Sequence, residues 1–417
     1  MVSDTDADRT AGPRDSEAVD DRGKRRILVL SCTTAVLATL GVQAVAPASP
    51  AIQDHFDLTA SEVGWFTAVY LFPGILLAIP LGVLGDVFGR RPLFACAAFV
   101  FAAAGVAGAL TDSYGALLAV RFVQGIGFAA IMPLTITILG DTYGGLALLR
   151  AQARRAITVV GGELVLPVAG TALAALAWNA PLLAQAAMLP ASIAGLLVLG
   201  PRQHERRSSI DYRTGVGTTL RQPGIPLVLT IGVLRFLFKF TMITFLPLLL
   251  VREHGMSLTQ SGVVLGVSAL AAGLASTQVA RLLQTVRPSL LVAASLASVG
   301  AALAAFAFVD AWLVAIVVGL AFGAGDGMVS VIQDAFVAQA ADPSVRSAVV
   351  AVSATAKNVG KIAAPLVMGA LVAVIPIEQA FIVMAAVALG GSLLYSTRRS
   401  LDRQLPIHDT VIAVEAQ

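Results

Sequence analysis

Arg121-Phe122-Val123-Gln124-Gly125-Ile126-Gly127 returns about 198 residues later as Gly319-Leu320-Ala321-Phe322-Gly323-Ala324-Gly325. Each copy lies inside an apolar segment. A second stretch behaves the same way: Gly162, Glu163 and Pro167 line up with Gly360, Lys361 and Pro365. The first apolar segment opens near Ile27 and its counterpart near Pro226, at almost the same offset. The chain therefore reads as two copies of one membrane unit, with a seam between them. That geometry suits alternating access to a central site.

Composition agrees. Of 417 residues, 57% are hydrophobic and 13% charged, where a soluble domain carries about 25% charged; mean hydropathy is +0.84. Apolar stretches of about 20 residues, the length that crosses the hydrocarbon as a helix, recur along the chain. Period-2 alternation is absent, which argues against a β-barrel. Twelve spans are expected, at roughly 27–48, 62–84, 93–111, 115–139, 156–178, 181–199, 226–250, 260–282, 289–309, 312–333, 347–375 and 379–396. The fold class is thus all-α integral membrane. Residues 1–26 read as a disordered tail, 27–199 as an N-terminal six-helix bundle, 200–225 as a polar linker, 226–396 as a C-terminal six-helix bundle and 397–417 as a second tail. Both tails and the linker are expected on the cytoplasmic side. With that orientation, 22 Lys and Arg fall in inside segments and one, Arg252, outside. Cys32 and Cys96 sit in separate apolar segments, and the four histidines lie outside them, so neither a disulfide framework nor a metal site is expected.

After the second span come Gly82, Asp86, Gly89, Arg90 and Arg91. Glycines let helices approach closely, an acid can face a helix N-terminus, and arginines hold the turn at the interface. This pattern resembles the loop signature G-x-x-x-D-(R/K)-x-G-R-(R/K) of the major facilitator superfamily, with Val87 where the family has a basic residue. Arg121 and Gly125 resemble the superfamily's R-x-x-x-G helix, linked in proton-coupled members to proton transfer. Gly162, Pro167 and Gly170 are similar to the antiporter pattern G-x-x-x-G-P-x-x-G-G, with Leu166 and Thr171 replacing two glycines. The resemblance covers about residues 27–396. It implies two pseudo-symmetric six-helix bundles, a central cavity and rocker-switch motion, nearest to the twelve-span drug:proton antiporters.

Arg121, Glu163, Arg235, Lys239, Asp326, Lys357 and Lys361 fall well inside spans. None can face lipid while charged without a penalty of about 3 kcal/mol or more. Arg235 and Lys239 are four apart and share a helix face, as do Lys357 and Lys361. Asp326 is expected to pair with one of these bases. Five bases against two acids leave the centre about three positive charges in excess. Either an anionic substrate is held by Arg235, Lys239, Lys357 and Lys361, with Gln43 nearby, or the centre is a wet cavity with structural pairs. Arg121 either takes part in proton transfer or pins helices together. A carboxylate in a low-dielectric site keeps its proton at higher pH than in water. Glu163 is therefore the first candidate for a proton carrier, with Asp326 second.

The function expected is secondary active transport: proton-coupled efflux of drugs or metabolites by alternating access. Two alternatives stand beside it, a proton symporter importing a small organic anion and a non-transporting membrane scaffold or sensor. No nucleophile–base pair or G-x-x-x-x-G-K-[ST] loop occurs, so neither an enzyme nor an ATP-driven pump is expected. Nor is a cofactor, the proton gradient being the energy source. The partners expected are a small-molecule substrate and the lipid bilayer, without nucleic acid. The chain is expected as a monomer in a cell (inner) membrane.

Overall fold

The computed structural model describes residues 13–199, 225–339 and 346–397; the side chains at 13–20, 78, 79, 82, 83, 86, 338, 339 and 346–351 fall outside that description. The linker at 200–224 and the tails at 1–12 and 398–417 lie outside the described residues. Among the described residues twelve long helical runs follow one another: α1 (Pro13–Gln43), α2 in three consecutive pieces (Ala60–Leu71, Pro73–Leu76, Ala78–Phe88), α3 (Arg90–Ala109), α4 (Tyr114–Thr142), α5 (Gly145–Leu176), α6 (Ala180–Val198), α7 (Ile225–Glu253), α8 (Leu258–Thr285), α9 (Pro288–Phe306), α10 (Trp312–Gln339), α11 (Arg346–Val372) and α12 (Ile377–Ser396). Ten of these are long and apolar enough to cross a membrane. The other two are α2 and α11. Pro73 and Pro80 withdraw backbone donors where α2 breaks. Lys357, Asn358 and Lys361 dilute the apolar run of α11.

Three boundaries differ from expectation. Residues 13–26, read as part of a disordered tail, continue α1 as helix. Helix α5 begins at Gly145 instead of 156, which carries Arg150, Arg154 and Arg155 onto the helix. The first span ends at Gln43 rather than 48, and a short helix, Ser49–Phe56, follows it. There His55 stacks on Trp178 with ring centroids 4.2 Å apart.

The sequence repeat reappears as a packing repeat. A Cβ on Gly125 would strike the carbonyl oxygen of Tyr70, and one on Gly323 that of Ser268. Gly127 lies against the carbonyl of Ala97 and Gly325 against that of Ser295. In each case the contacted residue shifts by the same offset as the glycine. So α4 packs on α2 and α3 as α10 packs on α8 and α9. Ser192 donates to the Ala95 carbonyl (2.8 Å) and Ser392 to that of Ala293 (2.7 Å), tying α6 to α3 and α12 to α9.

The seam obeys the same symmetry. Gly64 on α2 presses on the Pro365 carbonyl of α11, and Gly262 on α8 presses on the Pro167 carbonyl of α5. In each case a glycine opposite the proline lets the two backbones meet. These contacts lie toward the end of the helices away from the basic loops. There Ser49 also donates to the Thr244 carbonyl (3.2 Å) and Arg252 pairs with Asp54, both across the seam.

Candidate functional site

The charged residues expected at the centre meet on α7, α10 and α5. Arg235 grips Asp326 with both arms of its guanidinium, Nε to Oδ1 at 2.8 Å and Nη2 to Oδ2 at 3.3 Å. Both side chains are about nine-tenths buried. One turn along α7, Lys239 Nζ donates to Glu163 Oε2 at 2.9 Å and stands 4.0 Å from Asp326 Oδ2. Arg235, Asp326, Lys239 and Glu163 thus form one alternating chain of charge. Its last link crosses the seam, because Glu163 belongs to the first bundle and Lys239 to the second.

Gln43, Glu163, Pro167, Lys239, Phe322 and Asp326 help line a cavity of about 40 Å³ at this point. That volume holds a water molecule or so; a drug-sized ligand occupies about 300–1,000 Å³. A ligand of that size does not fit the cavity in this arrangement of the bundles. Glycines bring the elements close: Gly323 and Gly327 on α10 meet the backbone of Ser268 and Ala272 on α8, while Gly170 on α5 meets Ala44, and a Cβ on Gly162 would come within 3.1 Å of the Val36 side chain.

In this chain of charge two bases, Arg235 and Lys239, meet two acids, Asp326 and Glu163, and of the four Lys239, Glu163 and Asp326 line the cavity. Lys357, expected beside Arg235, is instead bound to Asp334 at 2.6 Å, where α10 approaches its basic end. Lys361 donates to Asn358 Oδ1 at 3.1 Å and lies over the Phe236 ring at 5.0 Å, with Arg235 over the same ring at 4.9 Å. Neither lysine lines the cavity. Phe238, Phe240 and Phe245 are buried packing residues.

Arg121 sits away from this chain of charge, 2% exposed within the first bundle. It donates to Gln124 Oε1 (2.6 Å) and to the Gly41 carbonyl (2.7 Å), and lies over the rings of Phe66 (4.6 Å) and Tyr70 (4.3 Å). Among the described residues no carboxylate pairs with it. Gln124 continues the network to Gln185 and to the Phe101 carbonyl. The arrangement joins α1, α2, α3, α4 and α6, which is what a helix-pinning residue does. Arg155, expected in the loop before the fifth span, is buried too. It donates to Thr135 Oγ1 (2.8 Å) and the Met132 carbonyl (3.2 Å) on α4. Its spacing of seven from Gly162 was the available signal, since that spacing repeats a helix face.

At the turn between α2 and α3, Gly89 adopts a positive φ of 88°. Arg90 donates to the Thr137 carbonyl at 3.0 Å and pairs with Asp141 at the end of α4. Arg91 is partly buried at the same turn. The surroundings of Gly82 and the Asp86 side chain lie outside the described residues.

A profile of the Major Facilitator Superfamily matches residues 31–238 and again 228–409, one match for each half. The chain belongs to this superfamily. Solved structures agree on the fold. A single-site variant of the nucleoside transporter NupG superposes with a TM-score of 0.75 at 12% identity, covering 89% of this chain and 98% of that one. A bacterial homolog of the human lysosomal transporter Spinster, inward-facing and unoccupied, superposes with a TM-score of 0.71 at 14% identity, covering 94% and 96%. Among curated relatives, the cephamycin export protein CmcT of Amycolatopsis lactamdurans is 30% identical over 213 residues, 49% of this chain and 43% of that protein. The tetracenomycin C resistance and export protein of Streptomyces glaucescens is 31% identical over 137 residues, 33% of this chain and 26% of that protein. The chain spans under half the length of the curated relatives it matches.

Proposed function

We propose that this superfamily member is a proton-coupled exporter of drugs or metabolites, with Glu163 as the proton carrier. The observation that carries the reading is the Lys239–Glu163 ion pair, which joins the bundles beside the central cavity. A proton on Glu163 removes the charge that Lys239 holds. The tie across the seam then weakens and the balance between facing states shifts, as any differential interaction must shift it. Three relatives named for export or antibiotic resistance support efflux. The setting proposed is a bacterial cell membrane, with a single chain as the working unit and both ends in the cytoplasm.

In proteoliposomes, Glu163→Gln is expected to abolish transport driven by an imposed pH gradient while leaving substrate exchange at equal pH. Gradient-driven flux at the parent rate would remove Glu163 as carrier.

The same ion pair supports a second reading. An anion that takes the place of Glu163 on Lys239 frees the carboxylate to bind a proton. Anion and proton then favour each other's binding, since coupling is reciprocal, and they travel together as in a symporter. The sign of substrate movement relative to an inward proton gradient separates the two.

Alternating access also requires the far-end contact to open. A chain carrying Asp54→Cys and Arg252→Cys, with Cys32 and Cys96 replaced by serine, is expected to cross-link under oxidant and lose flux. Reductant is expected to restore it. Full transport by the cross-linked protein would mean that this end stays closed throughout the cycle.

A further inference from the structure

A second cavity, of about 540 Å³, lies outside the central site, between α1 and α6. Its apolar walls are Leu30 and Leu37 on α1 and Ala187, Ala191, Ala194 and Val198 on α6. Arg22, Arg25 and Arg26 line its mouth, spaced three and four apart on one face of α1. From Arg26 to Leu37, and from Val198 to Ala187, each wall runs eleven residues, about 16 Å at 1.5 Å per residue. One leaflet of hydrocarbon is about 15 Å deep, half of about 30 Å. The groove is therefore one leaflet long, and the arginines stand where headgroups begin. Small side chains on α6 leave the space. Val29, which also lines the groove, and Leu197 are strongly exposed on the same two helices.

We propose that this groove is a binding site for one anionic phospholipid, with an acyl chain between α1 and α6 and the phosphate held by Arg22, Arg25 and Arg26. An apolar groove at this depth takes up hydrocarbon, and its mouth selects among the lipids that supply it. Guanidinium groups bind phosphate through paired, charge-assisted hydrogen bonds, and basic pockets between membrane helices hold acidic headgroups. Asp21, on the same turn, is not among the groove-lining residues.

The test uses the full chain, purified and offered phosphatidylglycerol, phosphatidylcholine or inorganic phosphate, read by native mass spectrometry and by thermal shift. Phosphatidylglycerol is expected to be retained at least about tenfold better than phosphatidylcholine and to raise the melting temperature, with phosphate alone doing neither. Arg22→Gln, Arg25→Gln and Arg26→Gln together are expected to erase the preference. Ala194→Trp fills the groove and keeps the arginines, so it is expected to reduce retention of phosphatidylglycerol even if the arginine variant inserts poorly. Equal retention of the two lipids, parent-level retention in Ala194→Trp, or an equal thermal shift from phosphate alone would overturn the proposal.

Discussion

Asp326→Asn is expected to destabilise the second bundle by about 3–5 kcal/mol, the cost of leaving one member of a buried ion pair without the other. Arg235 stays charged, because a guanidinium does not give up its proton in a protein. It is about nine-tenths buried and holds Asp326 through two hydrogen bonds. Asparagine offers one neutral oxygen in place of two charged ones. Lys239 also loses its nearby charge at 4.0 Å, but it keeps Glu163. The melting temperature of the purified protein in detergent should fall sharply, and transport should fail with it. The double variant Arg235→Met with Asp326→Leu removes both charges and fills similar space, so it is expected to regain most of the stability, though not the transport. A single variant as stable as the parent would show that the pair does not hold α7 to α10.

Gly125→Val and Gly323→Val are expected to fail alike, each giving little monodisperse protein. At Gly125 the added carbon meets the Tyr70 carbonyl oxygen and, 3.0 Å away, the Pro73 ring; at Gly323 it meets the Ser268 carbonyl. A side chain could turn aside, but these are helix backbones. Either α2 moves off α4 and α8 off α10, or the variant does not form. Overpacking of this kind costs about 1–3 kcal/mol, and more where the backbone must shift. Gly161→Ala is the control. Nothing lies within 4 Å of a Cβ there, and alanine is the better helix former by about 1 kcal/mol. Fluorescence-detected size exclusion ranks the three variants. Indistinguishable profiles for Gly125→Val and Gly161→Ala would mean that the close approach of α2 and α4 is not needed for folding.

Much of the architecture was legible because its physics is linear in the chain. The number and order of spans follow from apolar length. The internal repeat was readable from Gly125 and Gly323 because a backbone-to-backbone crossing tolerates no other residue in either copy. The pairing of Asp326 with a base was also readable, since a lone charge at that depth is too costly. The identity of its partner was not. Counted inward from the basic ends of their helices, Arg235, Lys357 and Asp326 fall at similar depths, and helix rotation decided which base Asp326 met. Lys357 turned to Asp334, and Lys361 turned to Asn358 and the Phe236 ring. Arg155 was hidden by a helix start eleven residues late, an error that matters because it moved a buried charge into a loop. The turn at 44–48 was merged into the first apolar run, and the short helix Ser49–Phe56 after it was not assigned.

The amino-acid sequence by itself determined that this protein is a doubled membrane bundle carrying ionisable groups at mid-depth. Apolar length, basic loops and repeated glycines need no partner to be read. The tertiary structure alone decided that Arg235, Asp326, Lys239 and Glu163 join in one chain of ion pairs, two bases against two acids, and that one pair spans the seam. Charge balance depends on which helix faces turn toward each other, and no residue on α5 specifies what α7 presents to it until the two bundles are packed together.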